Sequence, residues 1–87
     1  MEYKGTITME LDGRVIVIDY SVFYFRDSYY MDITDKYNDR HRFRRDNDEW
    51  RYTSLKPLKW RYDFTVKLFK SMDAVLKKIR SASSMPK

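Results

Sequence analysis

Eighty-seven residues and 10.7 kDa suffice for one domain with one thin core, which at this size hides roughly 60–65% of the unfolded chain's surface from water. A hydrophobic share of 43% beside a charged share of 36% suits a globular chain and excludes a disordered tail, while the absence of cysteine excludes disulfides, thiolate metal sites and thiol catalysis. The cysteine usage suits a reducing compartment, so a cytoplasmic location is expected.

No apolar run approaches the roughly 18 residues of a membrane span. The stretch Met1-Glu2-Tyr3-Lys4-Gly5 has neither the basic nor the apolar segment of a secretion signal. No membrane association is expected. Charge is strongly asymmetric along the chain. Residues 1–39 hold four basic and eight acidic groups, residues 40–87 fourteen basic and five acidic. A basic half of this strength attracts phosphates or an acidic protein surface, unless the two halves neutralise each other in the fold.

The first element alternates. Tyr3, Gly5, Ile7, Met9 and Leu11 occupy odd positions and Glu2, Lys4, Thr6, Thr8 and Glu10 even ones, the period of a strand with one buried face. Asp12-Gly13 is the signature of a two-residue hairpin turn. It sets Leu11 opposite Arg14, Met9 opposite Ile16, Ile7 opposite Ile18, Gly5 opposite Tyr20 and Tyr3 opposite Val22, with the tyrosine ring covering the glycine. The second strand runs from Arg14 to about Phe25. With Asp27-Ser28 as the next turn, Tyr24 pairs with Met31 and Val22 with Ile33. The opposite face then carries Phe25 against Tyr30, with Phe23 near Asp32. The result is a three-stranded meander over residues 2–34.

Residues 35–39 read as a turn. Arg40–Arg45 and Glu49–Ser54 read as a fourth and a fifth strand around Asp46-Asn47-Asp48. Arg40, Arg42 and Arg44 share one face of the fourth strand, and His41, Phe43 and Arg45 the other. Residues 55–62 form a connector with aromatic anchors, where a helical turn can open at Pro57. Asp63 then caps a helix whose Phe64, Leu68, Phe69, Met72, Val75, Leu76 and Ile79 fall on one arc of about 140°. Lys67, Lys70, Lys77 and Lys78 lie opposite, and Asp73 is placed four residues before Lys77. The helix should end near Ala82. The fold class is α+β: a curved antiparallel meander of four or five strands, packed on one face by a single C-terminal helix. Residues 1–82 form one domain and 83–87 a frayed tail.

Enzymatic constellations are thin. The lone histidine, His41, has no evident partner in the sequence, so no catalytic residue is assigned. A metal-independent ribonuclease would have to combine His41 with Arg44, Tyr52 or Glu49. Asp46-Asn47-Asp48-Glu49 is a turn and not a calcium loop, since the sixth and twelfth positions from Asp46 are Arg51 and Pro57. Gly5 and Gly13 are the only glycines, which excludes a glycine-rich phosphate loop. No cofactor and no metal are expected.

Binding features are stronger. Arg40, Arg42, Arg44, Arg45, Arg51, Lys59 and Arg61 interleave with Trp50 and Tyr52, and cations beside flat rings suit single-stranded or structured nucleic acid. Each ring taken singly, as with Trp50, Trp60 and Tyr62, is nevertheless better read as a plug at the core edge with arginines lying over it. The expected activity is therefore a non-enzymatic binding module using segment 40–62 and the lysine face of the helix. The alternative is a protein interaction factor or inhibitor, of the size phages and mobile elements encode, docking on an acidic partner. Phe23, Phe25 and Tyr30 share their face with Glu2, Glu10, Asp19 and Asp32, which suits a protein contact or a homodimer seam better than a phosphate backbone.

Overall fold

The computed structural model describes residues 2–54 and 57–82. Five strands precede one helix: β1 (Glu2–Leu11), β2 (Arg14–Phe25), β3 (Ser28–Thr34), β4 (Arg40–Asp46), β5 (Glu49–Tyr52) and α1 (Tyr62–Ala82). The strands form one antiparallel sheet in the order β1-β2-β3-β4-β5, a meander with α1 across one face. The α+β class is as the alternation and the helical arc imply. Among the described residues no helix is long and apolar enough to cross a membrane. The tail expected at 83–87, together with Leu55 and Lys56 of the connector, lies outside the described residues.

The first hairpin has the register that Asp12-Gly13 dictates, from Leu11 opposite Arg14 to Tyr3 opposite Val22. Both turn residues have positive φ, 53° at Asp12 and 75° at Gly13, as a type I′ turn requires. A β-carbon placed on Gly5 would lie 2.7 Å from the Tyr20 hydroxyl oxygen, so the tyrosine ring covers the glycine as the register implies.

The second hairpin corrects the sequence reading. Its tip is Arg26-Asp27, with φ of 47° and 65°, so Phe25 pairs with Ser28, Tyr24 with Tyr29 and Val22 with Met31. Phe23 accordingly lies opposite Tyr30, and Ser21 opposite Asp32. The shift is two residues, and because strand side chains alternate with period two the buried face is unchanged. The last hairpin turns at Asn47-Asp48, which keeps Asp46 in β4 opposite Glu49 and ends β5 at Tyr52.

The core lies between the sheet's inner face and α1. Ile7, Met9, Ile18, Val22, Met31, Ile33 and Phe43 supply the sheet side, and Leu68, Met72, Leu76 and Ile79 the helix side. Each such side chain contributes about 1.5–3 kcal/mol of burial, offset by the entropy of ordering the chain. Phe64, Phe69 and Val75 border the same stripe half-buried. The helix begins earlier than its capping pattern implies: the Thr65 N–H bonds the Arg61 carbonyl, and Asp63 lies inside the first turn. Residues 57–61 form no helical turn. Trp60 packs on His41, Phe43 and Phe64 from this connector, whereas Tyr62 stays 84% exposed and anchors nothing.

Candidate functional site

Alternation along β4 turns Arg40, Arg42 and Arg44 to the outer face and His41, Phe43 and Arg45 to the inner one, and pairing with β5 adds Arg51 outside and Trp50 and Tyr52 inside. The seven proposed contact residues on these strands are thereby split between two faces, while Lys59 and Arg61 lie in the connector before α1. Trp50 is only 8% exposed; its ring lies under the Arg45 guanidinium and its indole N–H donates 2.8 Å to Asp73. That removes Trp50 as a base-stacking platform. Tyr52 is half-buried against Phe43 and His41.

Most of the arginines face the protein's own carboxylates. Arg42 makes a two-pronged bond to Asp32, at 2.7 and 2.9 Å, with its guanidinium 4.9 Å from the centre of the Phe23 ring. It covers Asp32 so well that this carboxylate is 6% exposed although it sits on the outer face. Arg44 and Arg51 both bond Asp46, Arg45 bonds Asp73, and Arg61 bridges Asp12 and Asp63. Asp32 holds the Arg42 proton more firmly than usual, as Asp46 does for Arg44 and Asp12 for Arg61. Asp46 is held below its ordinary value, chiefly by the Arg44 hydrogen bond. Of the seven proposed cations, Arg40 and Lys59 alone have no carboxylate partner among the described residues. Lys59 lines an open groove of about 410 Å³ with Ile16, Trp60 and Phe64.

Cationic surface persists on α1. Lys70, Lys77 and Lys78 are exposed on the side away from the core, with no ion pair among the described residues. Lys67 on the same side donates to the Glu10 carbonyl at 2.7 Å. Asp73 does not pair with Lys77. It flanks the apolar stripe and reaches the sheet at Arg45 and Trp50 instead.

The sequence gives His41 no partner, and the fold supplies two. Its Nε2 lies 2.9 Å from the Asp35 carboxylate, and its Nδ1 lies 3.1 Å from the Tyr52 hydroxyl oxygen. Asp35 also accepts the backbone N–H groups of Tyr37 and Asp39, closing the β3–β4 turn in which Asn38 has a φ of 67°. These bonds, the one from His41 first, hold the Asp35 carboxyl below its ordinary value. Of the three groups a ribonuclease could combine with His41, Tyr52 reaches it, whereas Arg44 and Glu49 project from the opposite face of the sheet. Among the described residues no three His, Asp or Glu side chains cluster closely enough to hold a metal.

Phe23, Phe25 and Tyr30 come together on the outer face. Phe23 and Tyr30 stack with centroids 5.2 Å apart and planes 6° apart, and Phe25, 53% exposed, lies 6.5 Å from Tyr30. The aromatic patch and the arginine row are therefore neighbours on one surface, joined by Arg42 over Phe23. Compared with protein-family models, with curated proteins and with solved structures, the chain matches none.

Proposed function

We propose that the protein is a non-enzymatic binding module that meets the phosphate backbone of nucleic acid with the lysine face of α1. The observation that supports this most is the contrast between two groups of cations. The arginines of segment 40–62 are mostly satisfied by internal carboxylates, whereas Lys70, Lys77 and Lys78 project together into solvent beside Lys67. The arginine segment thus gives way to the helix as the principal contact. Eleven residues separate Lys67 from Lys78, about 16 Å along a helix, a length over which duplex DNA presents roughly ten charges.

Lysines are compact charges without the planar fork of arginine, and no aromatic ring lies among them. Such a surface positions a backbone and reads no bases. Binding should be weakly selective for sequence and steeply dependent on salt. Three or four phosphate contacts correspond to a slope of log K against log salt of about −3 on duplex DNA and about −2 to −3 on single strands.

Fluorescence anisotropy with labelled single-stranded and duplex oligonucleotides over a salt series tests the proposal. The K70Q/K77Q/K78Q variant should lose most of the affinity at low salt and flatten the slope by about two to three units. No binding by the wild type at low salt, or equal binding by the variant, defeats it. A protein partner whose capture survives nuclease treatment and is lost in the same variant assigns the lysine face to an acidic protein instead.

A further inference from the structure

The outer face of the sheet is charged in opposite senses on its two sides. One cross-strand row, fixed by register, reads Glu2, Phe23, Tyr30, Arg44, Arg51 from β1 to β5. Another reads Thr6, Asp19, Thr34, Arg40 from β1 to β4. In both, acid lies on the β1–β2 side, base on the β4–β5 side, and β3 is the midline. Asp19 and Arg40 are exposed, and neither has an ion-pair partner among the described residues.

A two-fold axis laid along β3 in the plane of this face turns each row end for end. Tyr30 then meets its own copy, Phe23 meets the partner's Arg44, Glu2 meets the partner's Arg51, and Asp19 meets the partner's Arg40. Within these two rows every outer pairing joins unlike charges or a ring with a guanidinium, each occurring twice as a self-complementary interface demands, and in the row between them the Ser21 hydroxyl meets the partner's Arg42. The Asp32 carboxylates, which the axis sets opposite each other, are each already bonded by their own Arg42. We propose that this face is the seat of a second copy of the same chain, the two sheets forming a sandwich with the helices outside.

The geometry is compatible with known sheet packing. Stacked sheets cross at about 30°, so strands one removed from the axis shift by only roughly 2–3 Å against their partners and those two removed by roughly 5 Å, within reach of an arginine. Five strands about 4.8 Å apart over the seven-residue length of β3 and β4 present roughly 550 Å² per copy, which places the pair near the approximately 1,000 Å² of a small specific interface. The sandwich leaves the α1 lysines of both copies facing outward, so dimerisation and backbone binding are separate properties.

Sedimentation of the full chain at roughly 100 μM, between the micromolar and millimolar affinities of weak pairs, tests the proposal with two surface variants. The wild type should sediment at twice its 10.7 kDa. D19R and R40D, each of which sets like charges face to face twice, should weaken self-association at least about tenfold. An equimolar mixture of D19R with R40D should regain wild-type affinity, because every facing pair is again opposite in sign. A monomeric wild type overturns the proposal, as do unchanged dimers of both variants or a mixture that does not recover. Circular dichroism identical to wild type excludes misfolding as the cause of a loss, and recovery in the mixture excludes it independently.

Discussion

Replacing Asp73 with alanine removes the carboxylate that joins α1 to the β4–β5 hairpin. The Trp50 indole N–H, 2.8 Å from that carboxylate in a site 8% exposed, is left without an acceptor. An orphaned buried donor of this kind costs about 1–3 kcal/mol. The lost Arg45 ion pair adds about 0–1 kcal/mol, because the Asp73 side chain is 50% exposed and water screens the pair. The expected loss is about 2 kcal/mol, against a total stability of roughly 4–13 kcal/mol for a chain of this length. With a urea slope near 1 kcal/mol/M, the unfolding midpoint falls by about 2 M. Urea titration followed by tryptophan fluorescence reads this directly, since Trp50 and Trp60 both pack against the core. In a W50F background the donor is already gone, so D73A should there cost at least about 1 kcal/mol less. A D73A variant within about 0.5 kcal/mol of wild type, or equal costs in the two backgrounds, would refute the reasoning.

Two further outcomes follow from the turns. Arg26 and Asp27 both hold left-handed backbone, at φ 47° and 65°, where a side chain costs about 1–2 kcal/mol per residue. R26N/D27G installs the sequence that a type I′ turn favours and should raise stability by about 1 kcal/mol in the same urea assay; an unchanged or lower midpoint contradicts it. Asp35 and Asp46 have native pKa values depressed below their ordinary 3.8, mainly by the His41 and Arg44 hydrogen bonds respectively. Such groups add stability above the unfolded value, and it is lost as pH falls through the native one, so unfolding free energy should decline as pH falls through the ordinary carboxylate value and below it. D35N removes one contribution and should flatten that decline; a slope equal to wild type excludes the His41–Asp35 bond as its source.

The legibility of the fold varied with the chemistry of its turns. Asp12-Gly13 pins one register because few dipeptides accept two left-handed residues, and β1 opposite β2 could be written down pair by pair. Arg26-Asp27 adopts the same conformation without the signature, so the neighbouring register was misplaced by two. The even shift spared the identity of the core face. The outward row of Arg40, Arg42 and Arg44 followed from alternation within one strand. Its neutralisation did not, because Asp32 and Asp46 reach those arginines only through cross-strand register or a hairpin tip one residue shorter than the polar run Asp46-Asn47-Asp48 implies. Trp50 is readable both as a stacking ring and as a core plug under an arginine, because aromatic residues among arginines read alike whether they face water or core, and it is the second that the fold contains. Asp35 and Tyr52, six and eleven residues from His41, find it only once the β3–β4 turn and the β4–β5 ladder have closed.

The order of elements also bears on synthesis. The meander joins strands that follow one another in the chain, so the sheet has all its backbone partners by Tyr52. The helix that dries its inner side is not finished until Ala82, thirty residues later. At a translation rate of about 5–20 residues per second this is an interval of roughly 2–6 s. A nascent chain on the ribosome would spend that time presenting Val22, Met31, Ile33 and Phe43 to water or to a chaperone before α1 emerges to cover them.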